Sequence, residues 1–223
     1  MKFFKVFFIL SVASLLMSGC AKKGLYKDST WVDAPTSLRI VFEEPMVTDM
    51  GDVKRDLPEF VGHFSDWFLI NVAEDASQVA MPGIQISSEK GALAVGSLQR
   101  NGKMEYVPMY SPMNQAQVYL LLSNITFGRE FEEYYQGPQY GMAGPGFGGA
   151  QVSFGFTSGA TTRVENFFRA RCRYAFYDAQ SGKLLAYGDE MGSVKYVYNK
   201  SRKAWDKSLY EMVKRIIAHT PLR

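Results

Sequence analysis

From Arg163 to Asp178 the chain alternates strictly, with Phe168, Ala170, Cys172, Tyr174 and Phe176 on one side and Arg169, Arg171 and Arg173 on the other. That period of two predicts a half-buried strand. Asp178-Ala-Gln-Ser-Gly182-Lys183 reads as a turn, and Leu184 to Tyr198 returns as a second strand. The next segment, Ser201 to Ile217, changes period: Trp205, Leu209, Met212, Val213 and Ile216 recur at helical spacing, and Lys214, Arg215 and His219 suit the helix C-terminus. Upstream, Leu38 to Phe42 predicts a strand stopped by Glu44-Pro45. Asp56, with Pro58 and Glu59 after it, predicts an N-cap for a helix whose apolar face is Leu57, Phe60, Val61, Phe64, Trp67, Phe68 and Val72. His63 falls between those positions as a partly exposed helix residue. Asn101-Gly102 between two strand-like runs, residues 93–99 and 104–109, predicts a hairpin. Val118 to Leu122 is a continuous apolar run followed by alternation through Ile125, Phe127 and Phe131, as expected of a central strand that emerges into a half-exposed extension.

Two segments lack any such period. Residues 21–37 are polar, with Gly24 and Pro35, and read as a tether whose end Trp31 and Val32 tack onto the fold. Residues 137–161 hold eight glycines and two prolines, a composition unsuited to a core and expected of a long surface loop. Gly144 to Gly149 lacks the Lys-Ser/Thr of a phosphate-cradling Walker loop and the spacing of a dinucleotide fingerprint. The other reading of this loop is partner binding through Tyr140, Met142, Phe147, Phe154 and Phe156, sticky side chains on a glycine-rich backbone.

The first twenty residues have a different logic. Lys2 and Lys5 precede an uncharged apolar run from Val6 to Met17, then Ser18, Gly19 and Cys20. This is the pattern of a secretory leader, and a run of 12 residues falls short of the roughly 20 that a membrane-spanning helix needs. Met17-Ser18-Gly19-Cys20 resembles the lipobox of bacterial lipoproteins. The resemblance implies cleavage before Cys20 and acylation of its thiol, with the lipid holding the chain on a bilayer; Ala21 in the following position implies the outer membrane, periplasmic face. The expected division is a signal peptide over 1–19, a tether over 20–36 and one domain over 37–223. Removing Lys2 and Lys5 leaves 23 Lys and Arg against 22 Asp and Glu, a mature charge of +1. Nucleic acid is therefore not an expected partner, because no excess of cations is available to displace counterions from phosphates.

Candidate chemistry is sparse. A Cys20–Cys172 disulfide competes with the lipobox reading, which instead leaves Cys172 as a small buried hydrophobe. A catalytic thiol would need a histidine beside Cys172, and only His63 and His219 exist. No metal-ligand spacing, no cofactor motif and no Gly-x-Ser-x-Gly elbow occurs, and no catalytic residue is assigned. Arg169, Arg171 and Arg173 either grip an anionic partner or pair across the sheet with Glu130 and Glu132, and the pairing is the simpler reading. A hydrolase of envelope material would draw on Glu130, Glu132, Asp189 and Glu190. Asp189 and Glu190, being adjacent on a strand, face opposite ways.

The order of lipobox, tether, strand, helix, strands, the hairpin turn from Tyr177 to Leu185 and a closing helix resembles the envelope lipoproteins grouped around the TolB amino-terminal domain, CsgG and LpoB. That resemblance implies an α/β fold, an α+β sandwich with a mixed, largely antiparallel sheet, amphipathic helices packed on it and the C-terminal helix closing it. It also implies a non-enzymatic protein that meets an envelope protein or peptidoglycan. A CsgG-like pore subunit, with residues 118–135 and 152–176 entering lipid, is the alternative within the same group.

Overall fold

The computed structural model describes residues 26–136, 161–196 and 201–223. Among the described residues, nine strands and three α-helices follow one another as β1 (Tyr26–Lys27), β2 (Ser37–Phe42), β3 (Met46–Val47), α1 (Met50–Asp56), α2 (Phe64–Val79), β4 (Gln85–Lys90), β5 (Ala94–Arg100), β6 (Lys103–Met109), β7 (Val118–Gln136), β8 (Thr161–Asp178), β9 (Leu184–Tyr196) and α3 (Arg202–Ile217). The main sheet runs β1-β9-β8-β7-β2-β4, with β3 added beside β7; β5 and β6 form a separate ribbon. The strands β7, β8, β9 and β1 pair antiparallel, while β2 runs parallel to both β4 and β7. The sheet is thus mixed and largely antiparallel, and α3 closes the fold, as the resemblance implies.

Both faces of the sheet are covered. On one side α2 and α3 bury Phe64, Trp67, Phe68, Trp205, Leu209 and Met212 against Leu38, Leu120, Phe127, Phe168 and Phe176. Aromatic rings tie the layers together, with Phe168 and Trp205 at 4.5 Å between centroids and Phe64 and Phe127 at 5.4 Å. The opposite face buries Val41, Tyr119, Leu121, Ala175 and Tyr177 under the β5–β6 ribbon, where Val107 is the ribbon's buried anchor and the Tyr177 hydroxyl donates to the Pro108 carbonyl at 3.1 Å. This second layer explains the unbroken apolar run Val118 to Leu122: a strand covered on both sides has no polar face.

The run changes phase at a bulge. Between Ser123 and Thr126 strand β7 carries one residue more than β8, with Asn124 at φ 50°. Core-facing positions therefore pass from Val118, Leu120 and Leu122 to Ile125 and Phe127. Beyond Phe127 the paired β7 and β8 continue as an arm past the helices, where Phe131 is 67% exposed.

Two expectations near the N-terminus are corrected. The predicted helix begins at Phe64, with His63 in the N-cap position, because a one-turn 3₁₀ segment (Pro58–Phe60) and Gly62 at φ +82° intervene. Asp56 is not its cap but the last residue of α1, a helix that begins from the Asp49 cap. There the Asp56 carboxylate holds Arg55 at 2.8 Å and accepts from the Trp205 indole at 3.0 Å, joining α1 to α3. The tether composition of residues 20–36 likewise conceals part of the fold. Tyr26 and Lys27 pair with Tyr187 and Ala186, and Trp31 is buried 5.2 Å from the Phe176 ring. Val32, by contrast, is exposed. The hairpin forms as expected, with Asn101 and Gly102 both at positive φ.

Candidate functional site

Strand β8 places Arg169, Arg171 and Arg173 on the face of the sheet turned away from the helices, as its alternation predicts. All three meet carboxylates. Arg169 contacts both Glu130 and Glu132, Arg171 forks onto Glu130 at 2.5 and 2.7 Å, and Arg173 forks onto Asp189 at 2.9 and 3.2 Å. Arg163 at 3.1 Å and Lys195 both contact Glu165 further along the same face. Five cations thus share four carboxylates in a ladder of opposite charges. The Tyr134 hydroxyl, and then Arg169, hold Glu132 below the usual carboxylate range, while Asp189 raises the Arg173 guanidinium above its own. The cross-strand pairing that the sequence favours accounts for the arginine row.

The same geometry separates the four acids considered for hydrolysis. Glu130 and Glu132 share one guanidinium, Asp189 takes another, and Glu190 stands opposite Cys172 in the register, on the helix-side face. Cys172 is buried, and burial, reinforced by Glu190 and Asp189, pushes its thiol well above the ordinary value. A thiol held protonated is a poor nucleophile. His63 lies at the start of α2 and His219 just beyond α3, both exposed. Cys20, Tyr140 and Phe147 lie outside the described residues, as do residues 1–25 and 137–160 of the leader, tether and glycine-rich loop.

A concave feature that the sequence does not announce lies at the blunt end of the sheet, away from the arm. Three connections meet there, residues 30–35 after β1, 113–118 before β7 and 178–185 around the β8–β9 turn, lining an open cavity of about 560 Å³. They are cross-tied: the Thr36 amide donates to Gln117 Oε1 at 2.7 Å, the Gln117 amide to Ser37 Oγ at 2.9 Å and the Ala179 amide to the Gln117 carbonyl at 2.9 Å. Lys183 pairs with Asp28 at 2.6 Å, and Lys183 followed by Thr30 holds the Asp28 carboxyl down to about 2. Asp178 accepts from the Ser181 amide and hydroxyl at 2.7 and 2.5 Å, which lowers its pKa. The Asp178-to-Gly182 turn signal was visible in the sequence; its convergence with residues 30–35 and 113–118 depends on long-range pairing.

A second groove, between α2 and α3, is lined by Asp75 and Asp206 with Glu74, Lys203 and Lys207 around them. Asp75 Oδ2 is buried there without a hydrogen-bond partner. Burial, then Glu74 and Asp206, raises Asp75 to about 7.

No protein-family model matches the chain, and no curated protein matches it in sequence. Among solved structures, a neuraminyllactose-binding hemagglutinin homologue from Helicobacter pylori is similar at 10% identity and a TM-score of 0.34, over 87% of this chain and 89% of the other. A PelC dodecamer from Paraburkholderia phytofirmans is similar at 9% identity and a TM-score of 0.36, over 89% of this chain and 98% of the other.

Proposed function

We propose that the protein is a non-enzymatic envelope lipoprotein, anchored by lipid on Cys20 to the periplasmic face of the outer membrane and acting through contact with envelope protein or peptidoglycan. The observation that carries this reading is the leader ending in Met17-Ser18-Gly19-Cys20, placed six residues before Tyr26, where the described fold begins. Several acyl chains on one residue hold a domain on a bilayer where a single chain binds it only reversibly. The distribution of charge supports a contact role: the arginine row is neutralised within the sheet, and the acids named for hydrolysis are divided between separate guanidinium partners and opposite faces. Mass spectrometry of the native protein tests the anchor. The N-terminal peptide is expected to start at Cys20 with acyl chains attached, and the Cys20→Ala protein to leave the membrane fraction. An unmodified Cys20 or a different N-terminus overturns the anchor. Crosslinked membranes that yield no envelope protein or peptidoglycan above the Cys20→Ala control overturn the contact role.

A further inference from the structure

The blunt-end cavity has a chemistry of its own. Its floor is apolar, built from Trp31, Pro35 and Leu185, all buried, and its rim carries Asp33, Asn114 and Gln180, all exposed. Of the two other charged groups at its wall, Lys183 is paired with Asp28, and Asp178 is held as a carboxylate by hydrogen bonds from Ser181. An anionic ligand would therefore have to break the Lys183–Asp28 pair to find a cation on this wall. Amide side chains each offer a donor pair and an acceptor, and a carboxylate accepts strongly, a set that matches adjacent hydroxyl groups. A buried indole with a proline and a leucine offers a flat apolar floor for a C–H face. Peptides are taken instead along sheet edges, in helix-binding grooves or on aromatic grooves. This cavity, formed by three connections, presents none of these. Its volume lies in the range of small-molecule sites, and the cross-ties through Gln117 fix its shape before any ligand arrives.

We propose that this cavity binds a pyranose sugar, with Asp33, Asn114 and Gln180 taking its hydroxyls and Trp31 beneath its ring. The assignment goes beyond the lipoprotein reading and does not depend on it: an unacylated Cys20 would leave it standing. Trp31 supplies the probe, since Trp67 and Trp205 are fully buried in the core under the helices. The full-length protein is titrated with an N-acetylglucosamine tetramer, a glucose tetramer and trialanine, following tryptophan emission and, in parallel, the melting temperature. A saturable change in emission with a raised melting temperature is expected for at least one sugar. The acetylated tetramer points to an N-acetylated glycan as the source and the glucose tetramer to a plain hexose polymer. The Asn114→Ala/Gln180→Ala double variant, altered only at exposed positions, is expected to melt as the parent does and to bind roughly tenfold more weakly. Trp31→Phe is expected to abolish the emission change, and the melting-temperature shift remains readable should that variant lose stability. The proposal is overturned by the absence of a saturable response to either sugar, by an unchanged affinity in the double variant, or by a response to trialanine alone.

Discussion

Asp75 stands on α2 facing Asp206 of α3, with Glu74 beside it, Lys203 and Lys207 at the groove and one of its oxygens buried without a partner. Burial raises its pKa from the ordinary 3.8 to about 7, so the native state holds the proton more tightly than the unfolded chain does. The sign follows. The contribution of this group is most favourable below about pH 4 and is lost as the pH rises through about 7. Solvent screening of a part-buried carboxyl reduces the effect to about 1–2 kcal/mol. Urea unfolding at pH 5 and pH 8 is expected to show that difference, and Asp75→Asn to remove most of it. Asp52 has the opposite character: its carboxylate is 2% exposed and clamped by Arg129 and Arg55. Replacing it with Ala leaves Arg129 without that anchor and is expected to cost about 3 kcal/mol in the same assay. The arginine row was legible because period-two spacing sets the face and Glu130 and Glu132 stand at the matching period on the neighbouring strand. The clamp on Asp52 joins residues 77 apart, and no local pattern encodes that.

At the scale of elements, strict alternation and helical spacing identified β8, β9 and α3 because each has one face in a single large core. The start of α2 was misplaced because the apolar positions from Leu57 onward keep helical spacing while Gly62 interrupts the backbone; both Leu57 and Phe64 are buried, so the pattern persists across the break. Strand β4, Gln-Ile-Ser-Ser-Glu-Lys, is an edge strand with one hydrophobic side chain, too short a signal for periodicity. Gly192 shows what packing adds to pattern. In β9 it reads as a weak strand residue, yet a Cβ there would lie 1.8 Å from the Ser208 carbonyl oxygen and 2.6 Å from the Met212 amide nitrogen. Helix α3 rests directly on that glycine. Gly192→Ala must push the helix backbone away, and is expected to destabilise the protein by about 3 kcal/mol, read as a lowered urea midpoint. Gly182, whose φ of +65° serves a turn with open space around it, is expected to tolerate Asn with almost no loss.

For the whole molecule, the direction of β1 sets how the domain would sit on a membrane. Because β1 runs antiparallel to β9, starting from Tyr26 opposite Tyr187, the edge formed by these two strands is the part of the fold nearest the N-terminus. Six residues span at most about 20 Å, which is the greatest distance that a lipid on Cys20 would allow between the bilayer surface and Tyr26. The opposite edge of the sheet is β4, five strand spacings away, or roughly 24 Å at about 4.8 Å each. A lipid-anchored domain is therefore held by one edge. With the acylated protein in vesicles and Cys172 buried, a fluorophore on Lys27→Cys is expected to transfer energy to an acceptor in the bilayer surface more strongly than one on Lys90→Cys at the β4 edge. Equal transfer from both positions would mean that the domain turns freely on its anchor, and the β1–β9 edge would then have no fixed relation to the membrane. Unequal transfer in the expected direction leaves the β4 edge as the part of the sheet turned away from the bilayer.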